Sequence, residues 1–389
     1  MDDPQTLSGF DVVVIGGGAV GCGVAWDLSL RGLRVIVVEK GDIATGTSGR
    51  YHGLLHSGAR YAVTDPQAAK DCYRENLILK RIAPAVIDGC GGLFVLGGED
   101  GEGFVDPWVA GCERAGIPVR EISASAALKR EPALDRGVKR VFEVPDAVCG
   151  SVALCAALRS NAEGHGARFL TFQRVEGFLQ SPGAVRGVRA RDLRTGRALQ
   201  IPARCVVNAA GPWCGEIAGL AGIALPMDLV RGVMLGMQGR LISTVVNALQ
   251  SPNDGDVLLP RGKVSIAGTT NVLTSDPADR RVEEWEIALV RERLAALVPA
   301  VEDAKVVHVW SAVRPLHDQG NPAEEKTADP HRISRDYAAI DHAPSVDGLV
   351  TIVGGKLTTS RLMAEKASDA VCRKLGVQEA CRTAETALA

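Results

Sequence analysis

One stretch near the amino terminus constrains the fold more than any other part of the sequence. It opens with the β-branched apolar run Val12–Ile15, which predicts a buried parallel strand. A GxGxxG sequence follows at once over 16–21, then a helix-forming stretch to residue 30. A second apolar strand over 33–38 ends at Glu39. This order of strand, glycines, helix, strand and acid predicts a Rossmann-like α/β fold.

The three glycines of this motif, Gly16, Gly18 and Gly21, meet three different needs of a dinucleotide site. One permits the tight turn, one lets a pyrophosphate approach the backbone, and one lets helix and strand pack closely. The helix N-terminus offers N–H donors and a partial positive charge. Glu39, an acid where NADP sites carry arginine, favours FAD or NAD. A glycine-rich turn also arises for packing alone, but the complete order favours a dinucleotide site.

Length, charge and cysteine content limit the classes of protein to which the chain can belong. A chain of 389 residues is long enough for two or three domains, and its net charge of −2 predicts no nucleic-acid partner. We expect no transmembrane segment, because no apolar run is long enough. The acidic start lacks the pattern of a signal peptide and favours a cytoplasmic location. Ten cysteines without CxxC or zinc spacing predict free thiols and no metal.

The loop after Glu39 is unusually long and rich in Gly, Ser and Thr. It extends to Tyr61 and continues the strand whose end carries the ribose acid, so we expect it to follow an extended cofactor toward its reactive ring. Its candidates for ring or substrate contacts are His52, His56, Arg60 and Tyr61. The alternative for each is an ordinary loop histidine or a surface side chain.

Two later junctions repeat the pattern of a strand that meets glycine. The strand over 205–207 ends in Asn208-Ala-Ala-Gly211, and the strand over 347–353 runs into Gly354-Gly-Lys356 before a helix. Small residues there leave room for a phosphate or an adenine, although the first junction alone is also typical of an ordinary strand-to-helix corner. Because the three junctions lie far apart in sequence, we expect a cofactor domain assembled from discontinuous segments.

The region from 226 to about 313 predicts a separate antiparallel sheet with helices, a cap over the dinucleotide domain. Basic residues on or beside its strands would recognise a phosphate if they converged, and otherwise extend from the surface: Arg231, Arg261, Lys263 and Arg314. The expected division is an FAD-binding domain of residues 1–85, 150–225 and 336–389, and a substrate-binding cap of 86–149 and 226–335.

Taken together, several motifs resemble those of FAD-dependent glycerol-3-phosphate dehydrogenases, in the same order. Besides the glycine motif and Glu39, they are Thr47-to-Tyr61 (TSGRYHGLLHSGARY), Asn208-to-Gly211 (NAAG), Ser311-to-Leu316 (SAVRPL), Ile333-to-Asp336 (ISRD) and Gly354-to-Thr359 (GGKLTT). The similarity spans essentially the whole chain. It is greatest to the large catalytic subunit of the bacterial anaerobic enzyme.

The resemblance implies a Rossmann-like FAD-binding domain of the glutathione-reductase/amine-oxidase type with an antiparallel cap. The implied reaction oxidises sn-glycerol 3-phosphate to dihydroxyacetone phosphate, with hydride passing to flavin N5 and electrons passing on to a quinone or partner subunit. Two alternatives remain open. One is an FAD-dependent enzyme for another small anion, such as 2-hydroxyglutarate or an amino acid. The other is a catalytically impaired electron-transfer or assembly subunit that keeps FAD.

The resemblance also assigns site residues by position. The implied catalytic residues are Arg314, Lys356 and His56, with His56 the first choice for a general base that the motifs leave unassigned. The implied substrate-binding residues are Arg60, Tyr61, Arg314, Arg335 and Lys356. The implied FAD-binding residues are Gly16, Gly18, Ala19, Val20, Gly21, Glu39, Lys40, Thr47, Ser48, His52, Gly53, Leu55, Ala210, Gly211, Trp213, Gly355, Lys356, Leu357 and Thr358. His317 does not match the family and is expected to be structural.

The route of the electrons is the point at which the sequence departs from the resemblance. The anaerobic large subunit normally continues into a cysteine-rich iron–sulfur domain, which these 389 residues do not include. We therefore expect reduced flavin to pass electrons to a quinone at a membrane surface, to a separate subunit, or to oxygen. The corresponding expectation is a homo-oligomer or hetero-complex, in the cytoplasm or peripheral on the inner face of the cell membrane.

Overall fold

The computed structural model describes residues 4–97, 101–317 and 336–389. Its α-helices are Ala19–Leu30, Pro66–Ile82, Glu102–Arg114, Ala124–Arg130, Ser151–Gly164, Cys214–Gly219, Glu284–Ala295, Ala300–Asp303 and Ser360–Leu375. Short 3₁₀ helices cover Thr47–Gly49, Ala59–Tyr61, Pro84–Val86 and Gly211–Trp213. No helix in these three ranges has the length and apolar character needed to cross a bilayer.

A six-stranded sheet, the parallel sheet, contains the glycine motif. Its strands lie in the order Arg168–Leu170, Val35–Val38, Val12–Ile15, Cys205–Asn208, Leu349–Gly354 and Tyr337–Asp341, and only the last is antiparallel to its neighbour. The central strands are rich in valine and buried along their whole length, as strands covered on both faces must be. This sheet and its crossover helices confirm the Rossmann-like α/β prediction.

Helices cover one face of the parallel sheet and a second sheet covers the other. Ala19–Leu30, Ser151–Gly164 and Ser360–Leu375 pack together in one apolar core. On the opposite face lies a meander of Gln173–Ser181, Ala184–Asp192 and Ala198–Pro202, with Gln5–Thr6 at its edge. The first strand of this meander is irregular, with register shifts beside Gly177 that increase its local twist.

A third, mostly antiparallel sheet, the large sheet, makes up the predicted cap. Its strands are Val272–Thr274, Asp228–Gln238, Val264–Gly268, Val257–Arg261, Val245–Ala248, Gly92–Leu96, Arg140–Val144 and Arg120–Ile122, with Val306–Leu316 also paired to Asp228–Gln238. Helix Glu284–Ala295 contributes Val290 and Leu294 to the apolar core on one face of this sheet. The large sheet draws its strands from 92–144 and 228–316, and the parallel sheet from 12–38, 168–208 and 337–354. The proposed domain boundaries stay a prediction.

A small sheet connects the parallel sheet and the large sheet. It pairs Leu54–Leu55 and Ile87–Asp88 with Ala147–Cys149, which joins the long loop after Glu39 to the chain that leads into the large sheet. Pro107 lies inside helix Glu102–Arg114, beyond the first turn, where proline is typical.

Candidate active site

A cavity of about 1790 Å³ lies where the carboxyl ends of the parallel strands face the large sheet. Ile15, Val38, Ala209 and Gly354 line it from the strand ends, and Met234 and Ala312 line it from the large sheet. A crevice at the carboxyl ends of parallel strands is the usual binding site of α/β sheets. The volume exceeds the 300–1,000 Å³ or so typical of a single drug-sized ligand. It therefore has room for an extended cofactor and a small substrate together.

The glycine motif forms one wall of this cavity through close approaches that only glycine allows. Gly16 has a φ of +107°, and a Cβ there would lie 2.5 Å from the carbonyl oxygen of Ala209. A Cβ on Gly21 would lie 1.9 Å from the carbonyl oxygen of Gly16. Gly18 lines the cavity and precedes helix Ala19–Leu30. The turn thus exposes a helix N-terminus to the cavity, which suits an anionic ligand.

Two backbone amides, one from the glycine motif and one from the loop after it, hold the Glu39 carboxylate. Its Oε2 accepts a hydrogen bond from the backbone N of Gly17 at 2.6 Å, and its Oε1 accepts one from Gly41 at 2.7 Å. The residue also lines the cavity. Because a carboxylate offers about four lone-pair sites, both oxygens keep capacity for ribose hydroxyls. The backbone contacts orient the acid before a ligand arrives.

The long loop after Glu39 connects the glycine motif to the large sheet. Ser48 Oγ accepts a hydrogen bond from the backbone N of Ala19 at 3.0 Å, at the first turn of the helix. Thr47 Oγ1 donates to the carbonyl oxygen of Val313 at 2.6 Å, and Trp310 Nε1 donates to that of Arg50 at 2.7 Å. The loop therefore follows the cavity as an ordered wall, as its composition predicts.

The two later glycine junctions line the same cavity. At the first, Ala210, Gly211 and Trp213 face it, and Lys40 Nζ lies 3.2 Å from the centroid of the Trp213 ring. This cation–π contact is partly buried, and burial lowers the pKa of Lys40. At the second, consecutive positive φ values of +84° and +74° at Gly354 and Gly355 turn the chain into helix Ser360–Leu375.

Two histidines lie side by side in the cavity wall, and both are neutral at pH 7. Burial, with the nearby Arg60 and Arg314 charges, lowers the pKa of His52 to about 3. Burial also holds the pKa of His56 well below its usual value, and His52, Arg60 and Lys356 add to this. The two ring centroids are 6.0 Å apart.

The two histidine rings differ in whether a ring nitrogen is available to accept a proton. His52 Nδ1 accepts a hydrogen bond from the backbone N of Leu54 at 3.0 Å, which leaves its proton on Nε2. His56 is oriented through its backbone instead, since its N donates to Thr358 Oγ1 at 3.1 Å and its carbonyl accepts from Asn76 Nδ2 at 3.2 Å. His56 is thus the ring better able to take a proton from a ligand.

Three cationic side chains line the cavity around these rings: Arg60, Arg314 and Lys356. Lys356 Nζ lies 4.6 Å from the Tyr61 ring centroid, and Tyr61 lies 5.3 Å from the His56 ring. Arg314 Nη2 donates to the carbonyl oxygen of Thr270 at 2.6 Å. An excess of positive charge beside neutral histidines is suited to a small anion.

Most residues that the sequence assigns to the site line this cavity, but three cofactor candidates do not. Gly21 packs inward against Gly16. Gly53 lies against Arg261 and Cys149. Leu55 is fully buried in the core, while Leu54 lines the cavity, because alternate residues of a strand face opposite ways. Arg335 lies outside the described residues.

The basic residues considered for a phosphate site do not converge. Arg231 is 2% exposed and forms an ion pair with Glu286 at 2.7 Å, away from the cavity. Arg261 and Lys263 do not line the cavity either, and only Arg314 of that group does. His317 Nδ1 lies 3.1 Å from the carbonyl oxygen of Pro226, in line with a structural role.

Sequence reasoning missed the polar residues of the loop before strand Val257–Arg261. Asn253 and Asp256 line the cavity, and Asp256 Oδ2 lies 2.5 Å from Arg60 Nη1. The run Pro252-Asn-Asp-Gly-Asp256 is typical of a turn and gives no sign of a partner almost two hundred residues earlier. The one available signal was an aspartate directly before an apolar strand.

The comparisons with known proteins agree with this geometry. Residues 11–361 match the family described as FAD dependent oxidoreductase. The chain belongs to this family. The A1 subunit of anaerobic glycerol-3-phosphate dehydrogenase from Haloferax volcanii is 42% identical over 97% of the chain, and the A subunit from Escherichia coli is also 42% identical over 97%. The chain spans 66% and 70% of the lengths of these two relatives.

Solved structures give the same architecture. Glycerol-3-phosphate dehydrogenase from Bacillus halodurans, complexed with FAD, superposes with a TM-score of 0.73 at 27% identity, covering 96% of this chain and 66% of that one. Glycine oxidase from Geobacillus kaustophilus superposes with a TM-score of 0.76 at 23% identity over 99% of both chains, and shares the fold. The predicted fold class and the predicted cofactor, FAD, are confirmed.

The cavity fits FAD by its own features. The glycine motif leaves space beside a helix N-terminus for a pyrophosphate, Glu39 suits the ribose, and the volume exceeds that of one small ligand. Within the described ranges, no group of three or more His, Cys, Asp or Glu side chains is arranged to bind a metal.

Proposed function

We propose that this chain oxidises sn-glycerol 3-phosphate to dihydroxyacetone phosphate with FAD as its oxidant. The observation that carries the proposal is the group formed by Arg60, Arg314 and Lys356 beside two neutral histidines in the cofactor cavity. The names of the relatives, anaerobic glycerol-3-phosphate dehydrogenases, support the same substrate.

The cations would bind and orient the phosphate. A phosphate dianion accepts charge-assisted hydrogen bonds, and arginine offers a planar fork that matches its geometry. Lys356 adds a compact charge above the Tyr61 ring. Fixing the phosphate would fix the carbon that carries the reacting hydroxyl, which removes orientational freedom from the reaction. Arg335 is proposed in the same role from the motif alone.

His56 would accept the proton of the substrate hydroxyl. It is neutral at pH 7, and no hydrogen bond to its ring nitrogens is found among the described residues, whereas Nδ1 of His52 already accepts one from Leu54. A bound phosphate dianion would raise the affinity of His56 for a proton, which opposes the effect of burial. The nearby Lys356 and Arg314 would stabilise the oxygen as it loses its proton.

The cofactor would be bound by the glycine motif, the long loop after Glu39 and the two later glycine junctions. FAD supplies the hydride acceptor when it is bound. The residues proposed to contact it are the FAD-binding candidates from the sequence that line the cavity: Gly16, Gly18, Ala19, Val20, Glu39, Lys40, Thr47, Ser48, His52, Ala210, Gly211, Trp213, Gly355, Lys356, Leu357 and Thr358. Gly21 would act by letting the helix pack against the turn.

The decisive experiment is anaerobic reduction of the bound flavin by a small panel of substrates. We expect sn-glycerol 3-phosphate to bleach the flavin absorbance, and 2-hydroxyglutarate and glycine to leave it unchanged. Reduction by either of those two, and not by glycerol 3-phosphate, would assign the chain to a different small anion. A flavin that none of them reduces would favour a role in electron transfer or assembly.

The electrons are proposed to leave through a quinone or a partner subunit. The relatives are named as subunits, which supports a hetero-complex. For that complex we propose a place on the inner face of the cell membrane. We expect steady turnover with an artificial dye acceptor and slow turnover with oxygen alone. Peroxide formation as fast as dye reduction would instead identify an oxidase.

A further inference from the structure

The loop before strand Val257–Arg261 contacts the Arg60 guanidinium at two points. Asp256 Oδ2 lies 2.5 Å from Arg60 Nη1, and the carbonyl oxygen of Asn253 accepts a hydrogen bond from Arg60 Nη2 at 3.4 Å. The same Asp256 oxygen also accepts from the backbone N of Asn253 at 3.0 Å, so one carboxylate connects both contacts. Arg60 keeps 17% of its side chain exposed, and Asp256 keeps 2%.

The loop that carries Asp256 is itself fixed to its surroundings. The Asp256 carbonyl accepts a hydrogen bond from the backbone N of Ala248 at 2.9 Å, and the backbone N of Gly255 donates to Thr269 at 3.0 Å. Gly255 has a φ of +60°, and a Cβ there would lie 3.0 Å from Cα of Val290. The carboxylate thus belongs to an ordered part of the large sheet, whereas Arg60 belongs to the long loop on the other side of the cavity.

This arrangement can set the direction of the Arg60 side chain. An arginine alone in a cavity samples several rotamers, and a ligand that binds it must order it. A rigid carboxylate removes part of that cost before the ligand arrives. Guanidinium has five N–H donors, and within the described ranges Asp256 and Asn253 contact only its two Nη atoms. The remaining donors are left for a ligand in the cavity.

We propose that Asp256 is a positioning residue that orients Arg60 toward the phosphate of the substrate. The proposal rests on the function proposed above and extends it to a residue that does not touch the reacting atoms. Asp256 also brings a negative charge into a site for an anion, and by charge alone its removal would tighten phosphate binding. If orientation dominates, removal of Asp256 weakens phosphate binding, and if charge dominates, removal strengthens it, so the two effects can be told apart.

The test uses the holoenzyme with Asp256→Ala and Asp256→Asn. Asparagine keeps an oxygen in the same place, so Arg60 retains an acceptor, whereas alanine removes it. Because a charge-assisted contact is at stake, we expect Asp256→Ala to raise KM for glycerol 3-phosphate by about tenfold or more, with kcat changed by less than about threefold. For Asp256→Asn we expect a rise in KM of less than about threefold. Affinity for inorganic phosphate, measured by calorimetry, should fall by the same factors.

Asp27→Asn is the matched control, because Asp27 forms a buried ion pair with Arg31 at 2.7 Å in the helical layer, outside the cavity. Arg31 still has Asp369 at 2.9 Å in that variant. We expect it to lower thermal stability and to leave KM and phosphate affinity unchanged. Its result shows what the loss of a purely structural Asp–Arg pair does.

Three results would overturn the proposal. Tighter phosphate binding in Asp256→Ala would show that charge outweighs orientation. Unchanged KM and phosphate affinity would show that Arg60 needs no support, and equal losses of stability, FAD and kcat in both variants would indicate a structural pair like Asp27–Arg31. A wild-type flavin that glycerol 3-phosphate does not reduce would contradict the proposed function instead, and the phosphate titrations would still decide whether Asp256 orients an anion site.

Discussion

The two ends of the cavity offer different kinds of groups to a ligand. At the glycine motif, these groups belong to the backbone: the turn at Gly16, the helix N-terminus at Ala19, and the amides that orient Glu39. At the other end they are side chains from distant segments, chiefly Arg60, Arg314 and the two histidines. Backbone recognition depends on local geometry that a short sequence can encode. Side-chain recognition depends on how the sheets meet.

This difference predicts how each end fails when it is altered. A change in the backbone end should lower the amount of bound cofactor and the activity together, whereas a change in the side-chain end should spare the cofactor and alter the rate. Measuring both bound flavin and kcat in each variant therefore shows which end of the cavity a substitution affects. The variants below test that separation, from the largest expected effect to the smallest.

Replacement of His56 should give the largest loss at the side-chain end. His56→Asn removes the proposed base, and general acid–base catalysis is typically worth about 10²–10⁴-fold in rate. We expect kcat to fall within that range while the protein retains FAD. His52→Asn is the matched variant, since asparagine can accept the Leu54 amide in place of Nδ1, and its kcat should fall less than about tenfold. The opposite order of the two losses would assign the base to His52.

Replacement of Gly18 should give the largest loss at the backbone end. A Cβ on Gly18 would lie 3.0 Å from Ser48 Oγ, and the branches of valine would occupy the cavity beside the helix N-terminus. Overpacking of this kind typically costs about 1–3 kcal/mol, so Gly18→Val should lower FAD affinity by about tenfold or more. The amount of flavin released per protein on denaturation measures how much FAD the variant has bound. Gly103→Val, at an exposed helical glycine with open space around it, should retain FAD, and equal retention by both would refute the assignment.

Sequence alone could predict the backbone end because its cause is local. A glycine with a φ of +107° in front of a helix is encoded within a few residues, and so is the acid at the end of the next strand. The same reasoning predicted the fold class. It was less accurate where a shift of one residue changes the face of a strand: Leu55 was the FAD-binding candidate, but Leu54 lines the cavity.

The side-chain end was only partly predictable because strand register is not written in local sequence. In the large sheet Val230 pairs with Arg314 and Arg231 pairs with Val313, so the two arginines lie on opposite faces. Arg314 reaches the cavity, and Arg231 reaches Glu286 under the helix. The partnership of Asp256 with Arg60 likewise arises only where the large sheet meets the loop.

Substitution of Arg314 tests whether the side-chain end needs geometry or only charge. Arg314→Lys keeps the charge but loses the planar fork, so that one ammonium must replace the contact with Thr270 and any contact with the ligand. A lost charge-assisted contact is worth roughly 1.5–3 kcal/mol, and we expect kcat/KM to fall by about tenfold or more with FAD retained. Arg231→Lys is the control on the opposite face: it should lower stability and leave kcat/KM unchanged. Normal kinetics in Arg314→Lys would remove this residue from the site.

The smallest effect concerns how the buried histidines change stability with pH. An unfolded histidine has a pKa of about 6.5, whereas the folded pKa of His52 is about 3, so below pH 6.5 the unfolded state binds a proton that the folded state does not. Stability at this site is therefore complete above pH 6.5 and falls as pH drops, by up to about 1.4 kcal/mol per pH unit. We expect wild type to lose about 1 kcal/mol more than His52→Asn between pH 7.5 and 5.5 in denaturant unfolding of the substrate-free holoenzyme. His165→Asn, at an exposed helix end, should lose as much as wild type, and an equal loss in all three proteins would show that His52 is protonated in the folded cavity.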